Sequence, residues 1–193
     1  MMGISRRAAV LVAAGLGAVL SCAAGADPLE DKVKMCSACH GQAGLPVTKE
    51  IPIIWGQQEG YIYLQLRDFK SGARSNPIMS PLASQLQRDD MIAVAEYFSG
   101  KRWPDAGQAA ASDADANAAR TTSASIGCPA CHSAQFQGDG TTPRVAGQNA
   151  AYLAKTLGDF RTGARANNPG MSDFARAIPD ADLAAMVNYL AGL

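Results

Sequence analysis

Residues 36–40 read Cys36-Ser37-Ala38-Cys39-His40, and residues 128–132 read Cys128-Pro129-Ala130-Cys131-His132. The stretches lie 92 positions apart, and the correspondence continues downstream. Gly56-Gln57 recurs as Gly147-Gln148, Tyr61 as Tyr152, Leu66 as Leu157 and Asp68-Phe69 as Asp159-Phe160, all at a spacing of 91. Gly72-Ala73-Arg74 and Asn76 recur at that spacing as Gly163-Ala164-Arg165 and Asn167. Pro77 and Met79-Ser80 then match Pro169 and Met171-Ser172 at 92 again, so two single-residue gaps cancel. Self-similarity on this scale is the mark of a duplicated unit. The chain is two copies of one domain.

Both copies read as helical. Met91, Ile92, Val94, Ala95, Tyr97 and Phe98 fall at helical spacing between Asp89 and Ser99. Leu183, Met186, Val187, Tyr189 and Leu190 repeat the pattern between Asp182 and Gly192. Asp89 or Asp90, and Asp180, suit the N-cap positions. A middle helix is expected from about Gly60 to Ser71, stopped by Gly72, and from about Ala150 to Thr162, stopped by Gly163. Alternating β-branched runs are absent, and the apolar cluster at residues 51–55 is interrupted by Pro52. The fold class is therefore all-α. The first copy is placed at residues 27–103, a polar and Ala-rich linker at 104–112, and the second copy at 113–193, opening on an Ala-rich helix.

Residues 1–26 read as a secretory signal. Arg6 and Arg7 precede an apolar run from Ala8 to Leu20, and Ala24-Gly25-Ala26 offers a small-x-small cleavage site before Asp27. The competing readings are a retained membrane anchor and a lipoprotein signal using Cys22; Arg6-Arg7 is a poor match to twin-arginine export. No charge-free apolar run of 18 residues lies beyond residue 30. The chain has 17 basic and 17 acidic side chains with no long basic run, so charge gives no reason to propose nucleic-acid binding. Of its 193 residues 37 are Ala, so two small domains built this way have thin cores and need a staple.

Cys-x-x-Cys-His supplies that staple, because it is the attachment signature of c-type haem. Two thiols add across the vinyl groups on one porphyrin edge, and the following His is placed beneath the iron. Cys36, Cys39, Cys128 and Cys131 are thus the covalent anchors of two haem c groups, with His40 and His132 as iron ligands. The alternatives are weaker. The Cys pairs of a zinc ribbon lie about 15–20 residues apart, and here 89 positions separate Cys39 from Cys128. A thioredoxin-like pair needs a βαβ context. Structural disulfides would close tiny loops and leave both His unexplained.

The chain has two His, so bis-His ligation of both irons is impossible. Met is the strongest candidate for the sixth ligand. Met35 precedes its own motif and cannot reach the opposite haem face, while Met91 and Met186 lie on apolar helix stripes and suit the core. Met79 and Met171 pair in the repeat, each 39 residues after its His, in a segment containing Pro and Asn that reads as a loop. Pro52 and Pro143, 12 and 11 residues after their His, can each aim a carbonyl at the His Nδ1–H. Arg74 and Arg165 suit either a haem propionate or a solvated helix end. Tyr61, Tyr152, Trp55, Phe69 and Phe160 suit packing against the haem edge.

Taken together, Cys36 to Gly41, Gly56-Gln57 with Tyr61, residues 68–74, Met79-Ser80-Pro81, the helix closing on Glu96-Tyr97-Phe98 and their second-copy partners resemble the dihaem cytochrome c4 family. The departures are modest: Ser133 stands where the first copy has Gly41, and Ala146 where it has Trp55. The resemblance implies two class I cytochrome c domains related by pseudo-twofold symmetry, their haems close together at the interface. It implies a periplasmic electron carrier to a terminal oxidase or reductase, in some cases held at the membrane. The haem subunit of flavocytochrome sulfide dehydrogenase shares this plan, so the family does not name the partner.

The expected function is one-electron transfer, from quinol-linked donors to an oxidant, with no open iron site for a substrate. The rivals are the haem arm of a flavin or quinoprotein dehydrogenase and a self-sufficient dihaem peroxidase. The intact mass should equal the chain from Asp27 plus two haems; a mass with one haem or none would remove the reading, whereas a lipid on Cys22 would move only the cleavage site.

Overall fold

The computed structural model describes residues 28–193. The expected signal at 1–26 and its cleavage site before Asp27 lie outside the described residues. Among these, helices are the only extended elements, joined by loops with one isolated bridge between Asp139 and Thr142. The first copy contains α1 (Pro28–His40), α2 (Glu59–Ser71), α3 (Met79–Ser84) and α4 (Arg88–Ser99). The second contains α5 (Asp113–Ile126), α6 (Cys128–His132), α7 (Ala150–Thr162), α8 (Pro169–Ala177) and α9 (Asp180–Ala191).

The middle and closing helices arise where the periodicity places them. Gly72 and Gly163 end α2 and α7 at φ 80° and 79°, the left-handed conformation that glycine adopts without Cβ strain. In each copy the chain then folds back, so that Arg74 N–H donates to Asp68 O and Arg165 N–H to Asp159 O, both at 3.0 Å. The N-caps differ from expectation. Gln87 precedes α4, and the Asp90 carboxylate accepts the Gln87 backbone N–H at 2.8 Å. Pro179 precedes α9, and Asp180 is instead its first residue, paired with Arg161.

The two copies part at their openings. One continuous helix, α1, runs through the first motif, whereas α5 stops at Gly127 with φ 94° and α6 restarts the chain for the second. Gly127 stands where the first copy has Met35, which keeps the helix unbroken. Along α5 the buried Ala116, Ala119, Thr122 and Ser123 form one narrow face of small side chains. That face allows α5 to pack closely on α9. Thr122 Oγ1 donates to Asp182 at 2.6 Å, and Asn188 Nδ2 donates to Asp115 at 2.9 Å, tying the same pair.

Buried apolar side chains fall into two clusters. Val33, Ile62, Leu66, Leu86, Met91, Val94 and Phe98 form the core of the first copy. Phe136, Leu153, Leu157, Phe160, Ile178, Met186 and Leu190 form most of the second. Met91 and Met186 are thus core residues, as their stripe positions predict. Phe98 is fully buried, and its carbonyl accepts Gly56 N–H at 2.8 Å; Leu190 O accepts Gly147 N–H at the same distance. The loop ahead of each middle helix is pinned to the end of its closing helix. Phe98→Ala should destabilise the protein by about 3–5 kcal/mol, whereas Met91→Leu should cost less than about 1.5 kcal/mol; denaturant melts of the two variants would separate them.

Candidate haem sites and the domain interface

The first motif ends α1 and the second forms α6, so helical spacing puts Cys36 with His40, and Cys128 with His132, on one face. Gly41 turns the chain away at φ 93°, and a Cβ there would lie 2.0 Å from Leu45 O. Ser133 makes the equivalent turn at φ 67° despite its side chain, and its hydroxyl accepts Gln137 N–H at 3.1 Å. All four motif thiols are free of disulfide bonds.

Both histidines are buried, and both are aimed in the same way. His40 Nδ1–H donates to Pro52 O and His132 Nδ1–H to Pro143 O, each at 2.9 Å. Such a bond fixes ring orientation and tautomer, leaving the Nε2 lone pair for a metal. Burial pushes both imidazoles below their ordinary pKa, against a smaller upward pull from the proline carbonyls. The neutral, ligating form is thereby favoured. Burial also pushes the Cys36 thiol up to about 11 and the Cys128 thiol upward. Such surroundings suit an uncharged thioether better than a thiolate.

Met79 and Met171 lie in short helices rather than loops, which corrects the sequence expectation. Met79 opens α3, where Asn76 Oδ1 accepts the Ile78 and Met79 N–H groups at 2.9 Å. Met171 sits in the first turn of α8, its N–H donated to Asn168 Oδ1 at 3.0 Å. The asparagines that suggested loops are the capping groups. Met79 packs against the first core together with Cys36, and Met171 against the second together with Cys128. Trp55 joins the first of these groups, and its indole N–H is buried without a partner. A buried donor of this kind calls for an acceptor, and a haem carboxylate fits that need. The thiols, oriented imidazoles and thioethers therefore fit a covalent haem in each copy, and the orphaned indole adds a donor for the first.

Several residues that build the interface went unassigned in the sequence. Gln57 Nε2 donates to Arg144 O at 2.9 Å, and its Oε1 accepts Arg144 N–H at 2.7 Å. Gln148 Nε2 donates to Ile53 O at 3.0 Å, and its Oε1 accepts Ile53 N–H at 2.8 Å. Each glutamine brackets one backbone residue of the other copy, and the two brackets exchange under the 91-residue repeat. That reciprocity is the pseudo-twofold axis expressed in hydrogen bonds. Trp103 was missed too: its ring lies 4.6 Å beneath the Arg144 guanidinium, beside Gly147, and its N–H is also orphaned. It sits next to the position where Ala146 replaces a tryptophan.

Arg74 and Arg165 do not lie at solvated helix ends. Arg74 Nη2 donates to Tyr152 Oη at 3.3 Å, and Arg165 Nη2 to Tyr61 Oη at 3.2 Å, again as a reciprocal pair. Their guanidinium carbons lie 4.5 Å and 4.4 Å from the Phe69 and Phe160 ring centres. Burial pushes the Tyr152 phenol up, but the Arg74 and Arg165 charges outweigh it and bring it down to about 7.

Comparison with known proteins agrees with this geometry. Residues 105–193 match the cytochrome c family model. The chain is 31% identical to cytochrome c4 of Pseudomonas aeruginosa over 193 residues, 95% of this chain and 96% of that one. It is 36% identical over 170 residues to the thiosulfate dehydrogenase electron acceptor of Stutzerimonas stutzeri, 82% of this chain and 78% of that one. The crystal structure of reduced recombinant cytochrome c4 from Pseudomonas stutzeri superposes with a TM-score of 0.76 at 30% identity, covering 86% of this chain and 96% of that one. The fold and motifs define a dihaem c-type cytochrome of two class I domains. The chain belongs to the cytochrome c4 family, and it is an electron carrier with two covalently bound haem c groups.

Gly138, at φ 68°, lies against the proline that holds His132: a Cβ there would be 2.4 Å from Pro143 C and 2.5 Å from Pro143 O. Gly138→Ala should therefore lower the midpoint of one of two haem-absorbance melting transitions. Gly107→Ala, also at positive φ but with open space around it, should produce a smaller effect.

Proposed function

We propose that this chain carries single electrons in the periplasm through two His/Met haems. His40 and Met79 would ligate the first iron, and His132 and Met171 the second. Cys36 and Cys39, and Cys128 and Cys131, would hold the porphyrins, with Pro52 and Pro143 orienting the imidazoles. The observation that carries this reading is its repetition: in both copies a proline carbonyl aims the His, and an Asn-capped Met shares a core cluster with the motif Cys. The domain division at 27–103, 104–112 and 113–193 belongs to the same proposal, supported by α5 beginning at Asp113 after its Ser112 cap.

When bound, haem supplies a reversible one-electron couple. The chain's part would be to supply His40 with Met79 and His132 with Met171 as ligands, exclude water and hold those side chains unchanged between oxidation states. Thioether ligation raises the potential, which suits acceptance from a quinol-linked donor and delivery to a terminal oxidase or reductase. A dehydrogenase as donor is favoured by one observation, the 36% identity to a thiosulfate dehydrogenase electron acceptor. The haem subunit of a flavocytochrome sulfide dehydrogenase is the alternative of the same kind, and periplasmic localisation with peripheral membrane contact is compatible with each of these donors.

The ligands are tested one copy at a time. Met79→Ala and Met171→Ala should each halve the long-wavelength Met–Fe(III) band and let carbon monoxide bind one haem. Met79→His and Met171→His should each keep a low-spin haem at a lower potential, because imidazole favours ferric iron more than thioether does. Met91→Leu and Met186→Leu should leave the band intact. Loss of the band with Met91 or Met186, and its survival without Met79 and Met171, would overturn the ligand assignment.

A further inference from the structure

The peptide groups that hold the histidines are the same ones that the glutamines grip. The Pro52 carbonyl and the Ile53 N–H belong to one peptide unit. Its oxygen accepts from His40 at 2.9 Å, and its N–H donates to Gln148 Oε1 at 2.8 Å. The Pro143–Arg144 unit does the same between His132, at 2.9 Å, and Gln57 Oε1, at 2.7 Å. Each chain of bonds runs from an imidazole through one peptide to a glutamine of the opposite domain. Gln57 and Gln148 are 4% and 3% exposed and Ile53 is 1% exposed, so water does not compete for these groups. The amide orientations are fixed by chemistry, because a backbone N–H needs the oxygen and a backbone carbonyl needs the nitrogen.

We propose that Gln148 and Gln57 are positioning residues that set the potential of the haem in the opposite domain. The inference rests on the His/Met reading above. A peptide whose N–H is donated becomes a better acceptor at its carbonyl, since bonds in a chain polarise one another in a low-dielectric interior. A better acceptor draws the His Nδ1 proton further and makes the imidazole a more basic ligand. A more basic ligand favours ferric iron and lowers the potential. Gln148 thus holds down the potential at His40, and Gln57 that at His132. The effect crosses the interface: each glutamine acts on the haem of the domain it does not belong to.

The sign separates this role from mere support of the interface. Loosening the domains admits water, which stabilises the ferric charge and lowers potentials. Removing the polarising bond raises one. Gln148→Met keeps the length and volume of the side chain and removes both its donor and its acceptor. Redox titration of the holoprotein should show the His40 haem shifted upward and the His132 haem unmoved, with the haems assigned by the Met79→His marker. Gln57→Met should give the mirror result. If Gln148→Met does not fold, Gln148→Asn, which keeps the amide but withdraws it from Ile53, should shift the same haem in the same direction. A fall in potential, equal movement of both haems, or a shift of the haem in the glutamine's own domain would overturn the proposal. The long-wavelength Met–Fe(III) band is read in every sample. Its absence from the wild type would defeat the ligand reading itself, whereas an intact band with unmoved potentials would defeat only the role of the glutamines.

Discussion

Two peptide groups, Pro52–Ile53 and Pro143–Arg144, constrain the rest of this molecule. Each must present its oxygen to a histidine of its own domain and its N–H to a glutamine of the other. The position of one loop is therefore determined from both sides. The loops are anchored a third time where Gly56 and Gly147 donate to the ends of the closing helices. A small helical domain with a core rich in alanine has little rigidity of its own. Here the rigidity comes from a covalent group gripped at one edge and a loop gripped by the neighbouring domain.

The same arrangement explains why the interface is polar. Buried backbone N–H and C=O groups must find partners, and a carboxamide, with an acceptor oxygen and a donor nitrogen side by side, satisfies both on a single residue. Gln57 and Gln148 thus bury without leaving an unpaired group. The guanidiniums follow a related logic: Arg165, 6% exposed, is held by Tyr61, Gln65 and Asn167 and lies over Phe160. Its charge is distributed over several acceptors rather than left bare.

Much of this was legible in the chain. The duplicated motif, the helices that follow it and the two prolines could be read because each depends on local spacing. Met79 and Met171 were legible as a pair, but their helices were not. Asn76, Pro77, Asn168 and Pro169 look like loop residues until one knows that both asparagines cap the following turn. The glutamines were visible as repeated residues and carried no assigned role. Their partners lie 87 and 95 residues away, and no local rule relates positions on opposite sides of a pseudo-twofold axis. The usable signal was a polar residue kept in both copies beside a glycine turn. Trp103 left no such signal, because it closes the first copy and no residue of the second copy repeats it.

Symmetry alone would give a poor two-site carrier, since an electron shared between identical sites has no preferred position. The frame here is symmetric and its electrostatics are not. Gln65 accepts from Arg74, Arg165 and Asn167, while its counterpart in the second copy is Thr156, which cannot play that part. The Asp68 carboxylate receives Arg67 from its own helix and Asn167 from across the interface, whereas its counterpart Asp159 pairs with Lys155 within its own helix. One copy carries Trp55 and the other Ala146 beside Trp103. Each difference changes the charge or polarity near one copy and not the other, on a backbone that holds both imidazoles alike. Duplication supplied two matched sites, and substitution at the shared interface made them unequal.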